Sequence, residues 1–190
     1  MGAEGRHPHP PGERERLEEA AARKTYEEHR REAPESVACY IITVSDTRTP
    51  ESDTSGQIIM ELLKEGGHRV AGYAIVRDEP AEIQKKLDEV LSDPGVQAIL
   101  TNGGTGIARR DTTYDVIVRN LEKRVDGFGE LFRYISFQEI GPPAMLSRAV
   151  AGVCRGKLVA AMPGSGNACK TAMTRLLLPE LAHMVRELTK

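Results

Sequence analysis

Val37-Ala-Cys-Tyr-Ile-Ile-Thr-Val44 is an almost unbroken apolar run, rich in side chains that branch at Cβ. A run of this length and composition is typical of a strand buried on both faces, as in a parallel sheet. Polar, turn-forming residues 45–53 follow, and Thr54-Ser-Gly-Gln57 then has the spacing of a capping box with Thr54 as the cap. The stretch therefore predicts a strand, a loop and a helix in succession.

The same succession recurs three more times, although the sequences are not repeats. The predicted strands 70–76, 96–100 and 158–162 each precede a polar loop and an amphipathic helical segment. Strands that alternate with helices in this way indicate right-handed βαβ units. The predicted fold class is α/β, a three-layer sandwich with a mostly parallel central sheet. Residues 127–151 depart from the pattern, and we expect a helix over 129–139 and a second short helix after residues 141–143.

One edge of this sheet is expected to carry the ligand. If the strands are parallel, the loops that follow them all emerge at their carboxyl ends. Ligands of open α/β sheets bind at that edge. The four loops expected to converge there are residues 45–53, 77–79, 102–111 and 163–167.

Asn102-Gly-Gly-Thr-Gly106 is the loop that points most directly to an anion. Glycines let the backbone approach a ligand closely, and consecutive amides form a concavity that holds phosphate. Arg109 and Arg110 follow it, and arginine can hold phosphate oxygens with two hydrogen bonds. A tight turn without a ligand is the alternative interpretation of the glycines.

Acidic side chains on two neighbouring loops suit a magnesium ion. Asp111 follows the glycine-rich loop, and Asp78 and Glu79 follow the second strand. Mg²⁺ is usually bound through one or two carboxylates beside substrate phosphates. A helix cap is the commonest role of an aspartate at such a position, so a structural role stays open.

Gly164 to Thr171 nearly matches a P-loop. The pattern requires a second glycine where Cys169 stands, at a point where backbone would have to wrap a phosphate. A helix N-terminus that presents Ser165 to an anion is the simpler interpretation. A P-loop nucleotide hydrolase remains the lesser alternative.

Composition separates a tail from a domain. Residues 1–35 carry 16 charged side chains and few large apolar ones. Such a segment buries too little apolar surface to offset the entropy of ordering. We expect residues 1–35 to be a disordered or partly helical extension and residues 36–190 to form one domain.

The charge pattern and the cysteines exclude several classes of protein. The formal net charge is −2 and no long basic run exists, so nucleic acid is not an expected partner. Three cysteines without CxxC spacing suit free thiols in a reducing compartment. The apolar runs are too short for a membrane span, and the N-terminus lacks the apolar core of a signal peptide. The expected location is the cytoplasm.

Taken in order, these motifs resemble the MoaB/Mog family of molybdenum cofactor biosynthesis proteins. The likeness runs from about residue 37 to the C-terminus, and three stretches within it (45–48, 135–141 and 168–171) are closer to the MoaB branch. The motifs that carry it are Val44-Ser-Asp-Thr-Arg48, Asp53-Thr-Ser-Gly56, Asn102-Gly-Gly-Thr-Gly106 with Arg110-Asp111, Gly127-Phe-Gly-Glu130 and Ala161-Met-Pro-Gly-Ser165.

The resemblance implies a molybdopterin-binding, Rossmann-like fold assembled as a homotrimer or homohexamer. It also implies molybdopterin adenylyltransferase activity, in which AMP from MgATP is joined to the terminal phosphate of molybdopterin. ATP and molybdopterin are then the substrates, and Mg²⁺ is the cofactor. A non-catalytic molybdopterin-binding or carrier protein of the same pathway is the alternative.

The resemblance also assigns roles to residues. By position, Asp78 and Asp111 match the family's functional acids, and we expect both to act in catalysis and to hold Mg²⁺. Ser165 matches the substrate loop and is expected to bind the pterin's phosphate, although Gly166 stands where many relatives have a second proline. The glycine-rich loop is expected to hold the nucleotide's phosphates. The expected binding residues are Ser45, Asp46, Thr47, Gly103, Gly104, Thr105, Gly106, Arg110, Pro163, Gly164 and Ser165.

Overall fold

The computed structural model describes Arg16 and residues 33–190. The chain divides into two units, residues 1–33 and 34–190. In the first unit, Arg16 is helical and exposed. Most of the predicted extension, residues 1–35, lies outside the described residues. Its disorder or partial helicity stays a prediction.

A mostly parallel sheet forms the centre of the second unit, as the sequence predicts, and it has six strands where four were expected. Its strand order is β2-β1-β3-β6-β5-β4, and the first four of these strands run parallel. β5 is antiparallel to both β6 and β4. The strands are β1 (Ala38–Val44), β2 (Arg69–Val76), β3 (Ala98–Asn102), β4 (Lys123–Arg124), β5 (Val150–Cys154) and β6 (Lys157–Met162).

Helices cover both faces of this sheet. Ile41 and Ile42 of β1 are both fully buried, but they belong to separate apolar clusters on opposite faces. That double burial is the reason that β1 is apolar at every position except Thr43. The helices are α1 (Thr54–Glu65), α2 (Pro80–Leu91), α3 (Thr113–Asn120), α4 (Asp126–Ile140), α5 (Gly166–Ala172) and α6 (Leu178–Leu188). α2 and α3 pack on one face, and the other four pack on the opposite face.

Two shorter turns complete the described chain. Pro142–Leu146 forms the short helix expected after residues 141–143, and it is a 3-10 helix. Met173–Leu177 is a π-helical turn between α5 and α6. Pro179 lies in the first turn of α6, so the last helix begins again after the π-helical turn.

Two local predictions were wrong. The cap of α1 is Asp53, whose carboxylate accepts the N–H of Gly56, whereas Gln57 donates to the carbonyl of Pro50. A charged acceptor forms a stronger bond to the helix N-terminus than a hydroxyl does, which explains why the cap is one residue earlier. β5 was also not predicted from the sequence. Its hairpin with β6 turns at Arg155 and Gly156, both with positive φ, and it contains small residues with weak strand propensity.

The three cysteines are expected to be unreactive in the folded protein. Cys39, Cys154 and Cys169 are free and buried. Burial raises the pKa of Cys39 to about 12 and that of Cys169 to about 12, so the thiols stay protonated at neutral pH. Labelling with a thiol-specific disulfide reagent should be negligible in the native state and should reach all three cysteines in denaturant. Rapid labelling of the native protein would contradict this arrangement.

No helix in the described part of the chain is long enough and apolar enough to cross a bilayer.

Candidate functional site

Three of the four predicted loops meet in one cleft of about 590 Å³. The loops after β3 and β6 touch each other: a Cβ atom on Gly164 would lie 2.9 Å from the Cα atom of Gly103. The expected convergence of residues 102–111 and 163–167 is therefore present. The lining residues are Val44, Ser45, Thr47, Arg48, Gly103, Gly104, Thr105, Gly106, Asp111, Leu146, Ser147, Pro163, Gly164 and Ser165.

Most of the predicted binding residues line this cleft. They are Ser45, Thr47, Gly103, Gly104, Thr105, Gly106, Pro163, Gly164 and Ser165. Of the two predicted acids, Asp111 lines it as well. Asp46, Asp78 and Arg110 do not, and they lie in neighbouring depressions instead.

The glycines of the loop after β3 are required by the backbone. Gly103 has φ of 93°, and a Cβ atom on it would collide with the carbonyl oxygen of Val44, while Gly104 has φ of 60°. A side chain at Gly104 would collide with the hydroxyl of Thr113 and with the carboxylate of Asp78. These positive φ angles are open to glycine at little cost. The turn therefore brings bare backbone to the floor of the cleft.

Asp78 fastens three loops together beside the cleft. Its Oδ1 atom accepts the N–H of Thr112 at 3.1 Å and the hydroxyl of Thr112 at 2.8 Å. Its own N–H donates to Asp46 Oδ1 at 3.2 Å. The carboxylate is almost fully buried. Asp78 borders a separate depression of about 370 Å³ that is also lined by Glu79 and Arg110.

Asp111 presents a carboxylate to the cleft itself. Its Oδ2 atom accepts the N–H of Ala108 at 2.9 Å, and its own N–H donates to the carbonyl of Ala108 at 2.9 Å. The carboxylate lies over Gly106, where a Cβ atom would be 3.1 Å from the Asp111 Cγ atom. Asp111 thus closes the loop locally and faces the space where a ligand would lie.

Arg110 is engaged by acids rather than placed in the cleft. Its guanidinium lies 3.0 Å from Asp46 Oδ2 and 3.1 Å from Glu79 Oε1. The side chain is two-thirds exposed. In this structure the predicted phosphate-holding arginine therefore joins the loops after β1 and β2. The sequence could not show this because it depends on how close the loops lie.

Arg48 is the basic side chain that lines the cleft, and the sequence analysis left it out of the expected site. It donates to Asp53 Oδ1 at 3.0 Å and to the carbonyl of Gly164 at 2.9 Å. It also contacts the hydroxyl of Ser55. The available signal was its place at the end of the Ser-Asp-Thr-Arg motif. Arg48 ties the loop after β1 to the loop after β6.

Asp53 holds Arg48 in the position that links the loops after β1 and β6. The side chain is fully buried, and it accepts hydrogen bonds from Tyr73 at 2.6 Å, Ser55 at 3.1 Å and the N–H of Gly56 at 3.0 Å. Burial alone would raise the pKa of Asp53, but the hydrogen bonds from Thr43, Tyr73, Gly56 and Ser55 outweigh it and hold the pKa below its ordinary value. Asp53 is therefore an anion at neutral pH, and its charge fixes Arg48.

The loop after β6 is a helix N-terminus and not a P-loop. Ser165 caps α5, and its Oγ atom accepts the N–H of Ala168 at 3.2 Å. Gly166–Ala172 is already helical, and Cys169 is fully buried inside that helix. A P-loop would need this backbone to wrap a phosphate, so the geometry contradicts that alternative.

Asp111 in the cleft and Asp78 beside it are the acids that could contribute to a magnesium site completed by a ligand. Within residue 16 and residues 33–190, no group of three or more His, Cys, Asp or Glu side chains could hold a metal alone. Mg²⁺ needs only one or two carboxylates when phosphates supply further oxygens. The buried hydroxyl of Thr113, which has no hydrogen-bond partner, and the Oδ2 atom of Asp78 both border the space that a Cβ atom on Gly104 would fill. The donor chemistry of Asp78 and Asp111 therefore suits this ion.

Comparison with known proteins gives a consistent picture. Residues 40–183 match a family model described as a probable molybdopterin binding domain. Molybdenum cofactor biosynthesis protein B of Halalkalibacterium halodurans is 54% identical over 165 residues, which cover 86% of this chain and 97% of that protein. A crystal structure of a molybdenum cofactor biosynthesis protein B superposes with a TM-score of 0.81 at 50% identity, covering 83% of this chain and 99% of the other. The tungsten cofactor synthesizing protein MoaB from Pyrococcus furiosus superposes with a TM-score of 0.75 at 36% identity, covering 83% and 100%.

Proposed function

The chain belongs to the family of molybdopterin-binding domains found in molybdenum cofactor biosynthesis proteins, and from that premise we propose that it is a molybdopterin adenylyltransferase. The observation that carries the proposal is the cleft, where the bare backbone of Gly103 to Gly106, the carboxylate of Asp111 and the Ser165 loop face one space. That arrangement suits two phosphate-bearing substrates held side by side.

The proposed reaction needs no protein nucleophile. An oxygen of the terminal phosphate of molybdopterin attacks the α-phosphorus of ATP, and the bond from that phosphorus to the bridging oxygen breaks. Pyrophosphate leaves, and AMP stays joined to molybdopterin. The attacking phosphate is already ionised at neutral pH, so no activating base is required. Catalysis then rests on positioning the substrates and on balancing charge at the α-phosphate.

Named residues supply these two effects. The loop from Gly103 to Gly106 would hold the phosphates of the nucleotide, with the amides of Gly104 and Gly106 as donors. The N–H of Gly103 donates to the carbonyl of Met162 at 3.2 Å, so Gly103 contributes the turn and not a donor. The N-terminus of α5 and the hydroxyl of Ser165 would bind the phosphate of the pterin. Asp111 and Asp78 would hold Mg²⁺, which when bound supplies positive charge to the transferring phosphoryl group.

Release of pyrophosphate tests the proposal directly. The purified protein would be incubated with ATP and Mg²⁺, with and without molybdopterin, and pyrophosphate would be measured with a coupled enzyme assay. We expect release only when both substrates are present. Binding of molybdopterin without any pyrophosphate would favour the other candidate, a non-catalytic binding or carrier protein. The cleft suits either candidate, since holding the pterin requires no turnover, and the assay decides between them.

We also propose that the chain assembles as a homotrimer or homohexamer, as the family resemblance implies. Supporting this, α4 and the following 3-10 turn expose a group of large apolar side chains to solvent. We call this group the apolar face. Exposed apolar patches of this kind mark contact surfaces. Its members are Leu131, Tyr134, Phe137, Ile140, Met145 and Leu146, all more than half exposed.

Charges placed on the apolar face are expected to split the assembly. The double substitution Tyr134→Asp with Phe137→Asp puts two carboxylates where subunits would meet, and desolvating them opposes contact. Light scattering should then give the mass of one chain, against a multiple for the wild type. The matched control is Lys85→Asp on α2, on the opposite layer, which should leave the mass unchanged. A wild-type mass of one chain would contradict the proposal.

A cytoplasmic location is part of the same proposal. The three cysteines are buried and free, which suits a reducing compartment.

A further inference from the structure

We infer that Arg148 is a positioning residue that sets the conformation of the glycine-rich loop and of Asp111. The inference rests on the proposed function in so far as Asp111 acts in the reaction. Arg148 lies just before β5, in a segment that the sequence analysis did not assign to the site. The two residues before it, Leu146 and Ser147, line the cleft.

One guanidinium holds both ends of the loop. Arg148 Nε donates to the carbonyl of Thr105 at 3.0 Å, and a terminal nitrogen donates to the carbonyl of Asp111 at 3.1 Å. The two terminal nitrogens also bind the two carboxylate oxygens of Asp115, at 3.1 Å each. The Cζ atom lies 4.6 Å from the centre of the Tyr114 ring. Arg148 thus fastens residues 105–111 to the first turn of α3.

These bonds fix the orientation of two peptide groups. In a trans peptide the carbonyl and the following N–H point in opposite directions. With the Asp111 carbonyl on Arg148, the N–H of Thr112 points away from it, and the structure has this N–H on Asp78 Oδ1 at 3.1 Å. Arg148 and Asp78 therefore hold the same peptide from its two sides. By the same rule, the bond to Thr105 fixes the direction of the Gly106 N–H, one of the amides proposed to bind phosphate.

The geometry requires arginine. The hydrogen bonds use four of the five N–H groups of the planar guanidinium, two of them in a paired contact to Asp115. The plane of the guanidinium also lies over the Tyr114 ring. A lysine ammonium carries positive charge but is a single point and cannot reach two carbonyls and both carboxylate oxygens at once. Replacement by lysine should therefore keep the charge and lose the positioning.

Hydrogen exchange of the loop tests the inference without any substrate. We would compare the wild type with Arg148→Lys, Arg148→Ala and the matched control Arg155→Lys. Arg155 follows the other end of β5, and in the wild type its side chain binds Asp88 of α2. In both Arg148 variants, amides of residues 103–112 are expected to exchange about tenfold faster, with the rest of the domain unchanged. Equal exchange in that segment, or a uniform rise over the whole domain, would overturn the inference.

Chemical rescue provides the second readout. In Arg148→Ala, kcat for pyrophosphate release should fall about 100-fold and KM for ATP should rise, because the displaced loop is the one proposed to bind the nucleotide's phosphates. KM for molybdopterin, whose phosphate is assigned to the Ser165 loop, should change little. Added guanidinium ion at millimolar concentration should restore part of kcat and slow the exchange of residues 103–112, whereas methylammonium should do neither. If guanidinium restores neither quantity, Arg148 is not a positioning residue. An inactive wild type would remove the proposed function, while the exchange result would still decide the role of Arg148.

Discussion

Asp111→Asn is expected to lower the rate of pyrophosphate release by about 100-fold or more while the protein folds as the wild type does. The asparagine keeps a side-chain oxygen that can accept the N–H of Ala108, so the local turn should survive. What it loses is the negative charge in the cleft, with which the proposed site holds Mg²⁺. The measurement is kcat under saturating ATP and molybdopterin, together with thermal unfolding.

Asp126→Asn is the matched control for this change. Asp126 is an exposed carboxylate at the start of α4 that pairs with Arg124 and does not line the cleft. The control should retain wild-type turnover. If Asp111→Asn also retains it, Asp111 has no part in the chemistry, and the metal must be held elsewhere.

Asp53→Asn is expected to cost the largest free energy of unfolding of any single exchange considered, about 3 kcal/mol at neutral pH. The substitution removes the buried anion that holds Arg48 and accepts the hydroxyl of Tyr73. The donors that surround the carboxylate remain, but the asparagine amide has only one oxygen to accept their hydrogen bonds. Urea unfolding would measure the difference, and Asp126→Asn should change it by less than about 1 kcal/mol because that pair is exposed.

The pH dependence of this difference follows from the lowered pKa of Asp53. A carboxyl group whose folded-state pKa lies below its unfolded value stabilises the fold fully above the unfolded value, near 3.8. That contribution is lost as pH falls through the folded-state pKa. The difference in free energy of unfolding between the wild type and Asp53→Asn should therefore be constant around neutral pH and become smaller in acid. A gap that widens as pH falls would contradict the assignment.

The sequence predicted the layers well because burial leaves a direct trace in composition. β1 is buried on both faces, so its sequence is an almost unbroken apolar run, and α1 and α2 carry apolar stripes that face it. β5 left no such trace. Its Val-Ala-Gly-Val-Cys sequence is short and contains small residues, and its turn at Arg155 is an uncommon choice for positive φ.

The site was predicted at the level of loops and less well at the level of side chains. Gly103, Gly104 and Ser165 line the cleft as expected because glycine content and strand ends locate such loops. Which arginine faces the cleft depends instead on distances between loops. Arg110 is engaged by Asp46 and Glu79, whereas Arg48 lies at the cleft. The Ser-Asp-Thr-Arg motif points to Arg48, but the motif does not show that the Arg110 side chain turns to the acids instead of the cleft.

The order β2-β1-β3 has a consequence for how the opening arises. The connection from β1 leads to β2 at one edge of the sheet. The chain then crosses back to β3 on the other side of β1, and later strands are added toward the opposite edge. The loops that leave β1 and β3 therefore diverge, and connectivity alone creates a crevice between them. Exchanging side chains such as Thr47 or Ser147 should change what the crevice accepts with little effect on unfolding. Evolution can thus retune specificity in this chain while the sheet stays as it is.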